Sequence, residues 1–458
     1  MSHLTDKQKA DLHNSILNYL QPLVSQEAVL DSLQRDLNVT KVVDDNQLLQ
    51  KKWTAILRLQ KKITQLQGQV DQLSKMNDQS AENGFLSSTT DSNLTKFNWI
   101  PSKVKKSLTH TSNVTSVKIH PRLPQLVTAT SQGTFNCWDL LDLTQPTISI
   151  QAHTRGINAI AISPEKLEFN NNNHVLVTCG SDLYVKVWDI LTGKLIRTLS
   201  GHEHVVSDVV FKNEHVIFTC SRDTTIKIWD IQTGWCLKSF VGHSDWVRTL
   251  DIIAGEYLLS GSNDQSVRLS HGDSGTGLGL MIGHNQVVEC VKFVPMISNK
   301  WIDSLNKLEY QGDDAMYRQL GFKYAVSGGR DDRINIWLLP QPIIRPHNNP
   351  APSSNPHGQV VKTLIGHKSW VRDIAFHPNG KLLISCSDDK TIRFWDLETG
   401  DCIRTLMGHE GFINTIEWAP SICETLEDRL TDDETVINDN MRCILASGST
   451  DQMVKIWD

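Results

Sequence analysis

Gly201-His-Glu-His-Val-Val-Ser-Asp-Val-Val-Phe-Lys-Asn-Glu-His-Val-Ile-Phe-Thr-Cys-Ser-Arg-Asp-Thr-Thr-Ile-Lys-Ile-Trp-Asp230 decides the fold. Short apolar runs separated by tight-turn residues read as short strands, with no helical period. Gly366-His367 to Trp395-Asp396 repeats the pattern. Self-similarity at this scale means a repeat architecture.

Working outward, His110, His153, His202, His243, His284, His367 and His409 head seven units of four short strands, most of them about 40 residues apart. That is the blade period of a β-propeller, so seven blades are expected. A small hydroxyl recurs at Thr128, Thr178, Thr219, Ser260, Ser327, Ser385 and Ser447. Four residues later comes a turn position held by Asp182, Asp223, Asp264, Asp331, Asp389 and Asp451, with Gln132 in the first unit. Trp138, Trp188, Trp229, Trp337, Trp395 and Trp457 follow, with Ser270 in the fourth. The first and fourth blades are therefore expected to be the weaker.

Ser, His and Asp are also the parts of a hydrolytic triad. Sevenfold repetition excludes that reading: a nucleophile is needed once, whereas a hydrogen-bonded packing device is needed in every blade. Histidines placed one per blade are likewise too far apart to share a metal. No catalytic, cofactor-binding or metal-binding residue is expected. The seventh unit stops at Trp457-Asp458 on its third strand, so residues 102–109 are the candidate fourth strand that closes the ring.

The chain has 458 residues and a net charge of −6 with no long Lys/Arg run, which argues against nucleic acid as a partner. Neither a signal peptide nor an uninterrupted apolar stretch of membrane-spanning length is evident, so a soluble intracellular protein without direct membrane insertion is expected. The nine cysteines show no paired CxxC spacing and mostly fall in strands, as buried free thiols do.

Ahead of the repeats, Leu12, Ile16, Tyr19, Leu20, Leu23, Leu30, Leu33 and Leu37 recur at helical spacing over 6–40, with Pro22 as a break. Helices this short need a second copy to cover their apolar stripes. Over 45–76, Leu49, Ile56, Ile63 and Val70 interleave with Leu59, Leu66 and Leu73 at heptad spacing. That pattern favours a parallel two-stranded coiled coil, and hence a homodimer. Residues 77–101 are polar and read as a flexible linker leading into a propeller over 102–458.

Blade interiors are consumed by packing, which leaves loops and rims for recognition. Three residues after three of the head histidines stand Trp246, Trp370 and Phe412. Arg222 and Arg330 precede turn aspartates, and Arg248 and Arg372 follow the two tryptophans. Tryptophan and arginine dominate protein interfaces, so these seven residues form the candidate partner-binding face. Departures from the blade period at 295–322, 340–359 and 421–441 are expected to be loops, the middle one too rich in proline and asparagine for a strand.

The Gly-His heads and Trp-Asp ends resemble the WD-repeat proteins. The order of a LisH-like helical motif (Leu12, Ile16, Tyr19, Leu20, Glu27, Ala28, Leu33), a coiled coil and seven WD units resembles the lissencephaly-type proteins, called nuclear distribution proteins in fungi. Ser221 to Gly234 and Gly242-His-Ser-Asp-Trp-Val-Arg248 are similar to that family's fourth repeat region. Where the family has a glycine in the LisH turn, this chain has Val24 or Ser25. The resemblance implies a dimeric, non-catalytic regulator of the cytoplasmic dynein heavy-chain motor domain that alters microtubule attachment. It implies further partners among coiled-coil dynein adaptors of the nuclear distribution type and microtubule plus-end proteins, and roles in nuclear migration and spindle positioning. The implied location is cytoplasm and cytoskeleton, at plus ends and spindle poles. Arg222, Trp246, Arg330 and Trp370 are the residues it implies against the motor. Rival readings are a non-catalytic subunit of an acetylhydrolase and a substrate receptor of a ubiquitin ligase.

Overall fold

Tight turns that reverse the chain every five to seven residues force each unit into a four-stranded antiparallel sheet. The computed structural model describes residues 98–458 except 171–172, 306–313, 346–347, 352–355 and 421–440. The chain divides into Met1–Thr89 and Thr90–Asp458, and the described residues all lie in the second. The dimerisation residues proposed from sequence (Leu12, Ile16, Tyr19, Leu20, Leu49, Ile56, Leu59, Ile63, Leu66, Val70, Leu73) lie outside the described residues, as does most of the insertion at 421–441.

Seven such sheets make a seven-bladed propeller. The first strand of each blade (Val114–Ile119, Ile157–Ile162, Val206–Phe211, Val247–Ile253, Val288–Phe293, Val371–Phe376 and Ile413–Trp418) lines a central cavity of about 750 Å³. Second strands are the most apolar. Val175–Gly180, Tyr257–Ser262, Tyr324–Gly329 and Leu382–Ser387 are buried at every position because neighbouring blades cover both faces. Outer strands face solvent, as in Cys236–Val241.

The core lies between blades. Val127, Phe135 and Cys137 of the first blade pack with Ile157, Leu176 and Trp188 of the second. Val454 and Ile456 of the seventh pack with Val114 and Val117 of the first. Polar side chains in the channel stitch the inner strands together: the Asn158 amide donates to Val206 O (2.6 Å), and Asn414 to Val114 O (2.7 Å). Asp208, Asp251 and Asp373 each accept a backbone N–H from the following blade, of Leu250 (2.8 Å), Phe293 (2.7 Å) and Ile416 (3.0 Å). Burial pushes the Asp208 carboxyl up, against the pull of the Leu250 N–H.

Each turn between second and third strands has one residue in the left-handed region: Gly133, Leu183, Thr224, Gln265, Asp332, Lys390 and Gln452, with φ between 62° and 91°. The preceding aspartate explains the tolerance, since its carboxylate accepts the N–H two residues on, as Asp223 does from Thr225 (2.8 Å) and Asp389 from Thr391 (3.0 Å). The first blade, with Gln132, uses glycine at this turn.

Blade seven closes as its sequence requires. Val104–Thr109 pairs with Met453–Trp457, placing Leu108 opposite Val454. Lys103 and Asp458 exchange backbone hydrogen bonds of 3.0 and 2.9 Å. Just before this strand, at the end of the segment read as linker, Trp99 stacks edge-on against Trp418 (5.1 Å) and its carbonyl accepts a hydrogen bond from His377 Nε2 (2.7 Å). Arg404 Nη1 donates to the carbonyls of Ile100 and Pro101 (3.1 Å each). Residues 98–103 are thus strapped onto blades six and seven.

Two expectations for the insertions are corrected. The 295–322 insertion carries a short 3-10 turn and two helices, α1 (Asn299–Leu305) and α2 (Asp314–Leu320), whose Ile302, Tyr317 and Leu320 join the core of blades four to six. Lys323 pairs with both Asp303 (2.7 Å) and Asp314 (2.9 Å), tying the helices to the blade. Within 340–359, Ile343–Arg345 and Asn348–Ala351 pair as a two-stranded ribbon despite their Pro and Asn content. Pro350 falls between the paired positions, where a ribbon with free edges tolerates it.

Candidate partner-binding face

The head histidines are consumed inside the blades. In blade three the Trp229 indole N–H donates to Thr219 Oγ1 (2.8 Å), that hydroxyl donates to His202 Nε2 (2.8 Å), and His202 Nδ1–H donates to Asp223 (2.7 Å). The chain recurs with Trp188, Thr178, His153 and Asp182, with Trp337, Ser327, His284 and Asp331, with Trp395, Ser385, His367 and Asp389, and with Trp457, Ser447, His409 and Asp451. The two departures behave as their residues dictate. His110, lacking an aspartate, donates to Leu108 O (3.3 Å), and Ser260, lacking a tryptophan, serves His243 alone (2.8 Å).

These chains set the charge states. Burial would raise the Asp223, Asp264 and Asp389 carboxyls, but hydrogen bonds from their histidines and turn hydroxyls hold them well below the ordinary range. Burial lowers His153 and His409 despite their aspartates, and takes His377 down to about 4. Each hydroxyl is buried and already engaged, so none can act as a nucleophile. No group of three metal-ligating side chains occurs among the described residues. Of the described helices, none is long and apolar enough to cross a membrane.

The rim residues sit where the loops enter the inner strands. Trp246 and Trp370 immediately precede the inner strands of blades four and six and are half-buried. Arg222 stacks over the Trp246 ring at 4.7 Å and Arg248 at 5.7 Å; Arg330 and Arg372 stack over Trp370 at 4.1 and 4.9 Å. Six of the seven sequence candidates thus form two sandwiches spanning four successive blades. Phe412 stands apart at the head of blade seven, 48% exposed, with its N–H donated to Thr450 Oγ1 (2.8 Å).

Sequence reasoning missed the anions between the sandwiches. Glu289, on the inner strand of blade five and 9% exposed, accepts from Arg330 Nε and draws Arg248 (3.7 Å) and Arg372 (3.8 Å) toward it. Buried Asp388 takes Arg372 in a two-pronged pair (2.7 and 2.8 Å), and Asn263 Oδ1 accepts from Arg248 Nε (2.7 Å). Burial lowers the Arg248 pKa; Glu289 opposes this, while Arg330, Arg222 and Arg372 add to it. Burial also disfavours charge on Arg372, but Asp388 and Glu289 more than restore it. His204 lies against Trp246 at 5.9 Å. The only sequence signal for Glu289 is a charged residue in an inner strand, and nothing local ties it to arginines 41 residues away in either direction.

Seven blades so built, with the head histidines, their partner hydroxyls and the blade tryptophans spent on the blades themselves, make this chain a non-catalytic WD40-type propeller. The family model for "WD domain, G-beta repeat" matches residues 102–139, 144–189, 193–230, 234–269, 358–396 and 434–458, and passes over blade five, where the helical insertion lengthens the unit. The Nuclear distribution protein PAC1 of Candida dubliniensis is 40% identical over 498 residues, covering 100% of this chain and 99% of that one. The proteins of that name from Candida albicans (40%; 99% of each chain) and Candida tropicalis (42%; 99% and 98%) align as fully. The chain belongs to the family of nuclear distribution proteins PAC1.

Proposed function

We propose that this protein is a dimeric regulator of cytoplasmic dynein that holds the motor domain through the arginine–tryptophan face and so modulates microtubule attachment in nuclear migration and spindle positioning. The observation that carries the reading is the pair of Trp–Arg sandwiches at the channel mouth, in a chain whose relatives are named for nuclear distribution. Half-buried tryptophan with stacked arginine combines apolar area with oriented donors, the composition of interface hot spots. Residues 6–40 and 45–76 supply dimerisation, through a LisH-like motif and a coiled coil. Two propellers on one stem raise the effective concentration at a two-headed motor without adding contacts. Because no bond is made or broken, any change in motor stepping arises from tighter binding to one motor conformation than another. Phe412 extends the face toward blade seven. Adaptors of the nuclear distribution type and plus-end proteins bring the complex to its site in the cytoplasm.

Pull-down of purified dynein motor domain tests this with three proteins: the full chain, a chain lacking residues 1–95, and the full chain with Arg222→Ala, Arg330→Ala and Trp370→Ala. Expected retention is strong, weak and absent in that order, with the triple variant melting at the parental temperature. A folded triple variant that still binds removes the face from the interface. Equal retention by the truncated chain removes the bivalent mechanism.

A further inference from the structure

We propose that the arginine–tryptophan face receives a dianionic phosphate group carried on a side chain of the partner, and that Glu289 is the built-in anion with which that group competes. This rests on the reading of the face as the partner surface.

Charge comes first. Four guanidiniums, Arg222, Arg248, Arg330 and Arg372, meet two contacting carboxylates, Glu289 and Asp388, leaving a surplus of two positive charges (four minus two). The chain as a whole carries −6, so this surplus is local. Arg222 stacks on Trp246 and forms no ion pair among the described residues. Arg248 and Arg372 approach Glu289 at 3.7 and 3.8 Å, close enough for attraction but beyond hydrogen-bond reach. The guanidiniums repel one another, and the two carboxylates leave half of their charge unneutralised.

Geometry gives the preference. Arg248, Arg330 and Arg372, from three successive blades, approach Glu289 from different directions, and Arg222 of the preceding blade stacks on the same Trp246 ring as Arg248. A planar monoanion matches one or two guanidinium edges. A tetrahedral phosphate monoester has three terminal oxygens and, near neutral pH, about two charges, and it accepts from several guanidiniums at once. Trp246 and Trp370 hold the guanidinium planes in place, so little ordering entropy is lost on binding, and their exposed edges give apolar contact to residues flanking the phosphorylated one. A partner presenting only Asp and Glu would offer single carboxylates where one is already installed.

The full chain is titrated with phenyl phosphate and with benzoate at equal ionic strength, following tryptophan indole resonances and heat. Phenyl phosphate is expected to bind about tenfold more tightly than benzoate, the difference made by one additional charge-assisted hydrogen bond. Arg222→Gln is expected to weaken phenyl phosphate about tenfold, and Glu289→Gln to tighten it roughly threefold by removing the competitor. Equal binding of the two anions, or affinity unchanged by Arg222→Gln in a chain that melts normally, overturns the proposal. If Glu289→Gln does not fold, Arg222→Gln and Arg330→Gln decide it alone. Motor binding without a phosphate preference overturns this inference and leaves the proposed function standing; a phosphate preference without motor binding does the reverse.

Discussion

Thr219 shows how much one hydroxyl carries. It accepts from Trp229 and donates to His202, both fully inside blade three, so Thr219→Val strands two buried polar groups at once. The expected cost is about 2–5 kcal/mol by chemical denaturation, against about 1–3 kcal/mol for Ser260→Ala, where Ser270 replaces the tryptophan and only His243 loses a partner. Equal losses would mean the indole contributes nothing. Gly133 is the other sensitive residue. At φ +91°, a Cβ there would sit 2.3 Å from His153 O and 2.4 Å from Arg155 O, so Gly133→Ala should cost more than about 2 kcal/mol in the same assay. The hydroxyl–His–Asp–Trp set was legible from sequence because its members recur at fixed spacing within each unit. Glu289, Asp388 and Asn263 were not, because the arginines they pair with lie on neighbouring strands or blades and pairing of that kind leaves no local pattern.

At the scale of elements, the insertion in blade five departs most from its sequence reading. α1 and α2 are seven residues each, too short for an amphipathic period to stand out from the flanking strands. They hold because tertiary contacts outweigh weak propensity: Ile302 is fully buried, and the Tyr317 hydroxyl donates to Leu339 O beneath the helices. Ile302→Ala is therefore expected to cost about 2–4 kcal/mol in urea, whereas a solvated loop at 295–322 would make it silent. The Ile343–Arg345 ribbon escaped for a different reason. Proline and asparagine bar a central strand, not a two-stranded ribbon with both edges free. The outer strand of blade seven was legible because a counted deficit of one strand leaves a single place for residues 102–109.

On the scale of the whole molecule, stability should fall with acid well before the carboxylates titrate. The unfolded chain protonates histidine near pH 6.5, but burial makes His377, His153 and His409 resist it, His377 down to about 4 even though its hydrogen bond to Trp99 O pulls the other way. Between those pH values the unfolded state binds more protons, so stability is full above about 6.5 and is lost as pH falls toward about 4, by a few kcal/mol in order of magnitude through His377. Asp223, Asp264 and Asp389, held low, add a second loss below about pH 3.8 of the same sign. Melting temperatures between pH 7 and 4 should drop steeply, and less so in His377→Gln; parallel slopes for the two proteins would refute the assignment. Removing Met453–Asp458 should collapse the ring in one transition, not shorten one blade, since Val104–Thr109 then has no strand to join.

That closure also sets a clock on biosynthesis. Ser102 finds its partner Asp458 across 356 residues, so the first strand of the propeller leaves the ribosome with its hydrogen-bonding edge unclaimed. At roughly 5–20 residues per second, it waits about 20–70 s for Met453–Trp457 to be made. Through that interval six blades can assemble as an open arc that exposes an apolar face at each end, the state in which a nascent propeller is most vulnerable to wrong pairing and most dependent on a holding chaperone. A ribosome stalled anywhere before residue 453 would therefore display an arc, never a ring.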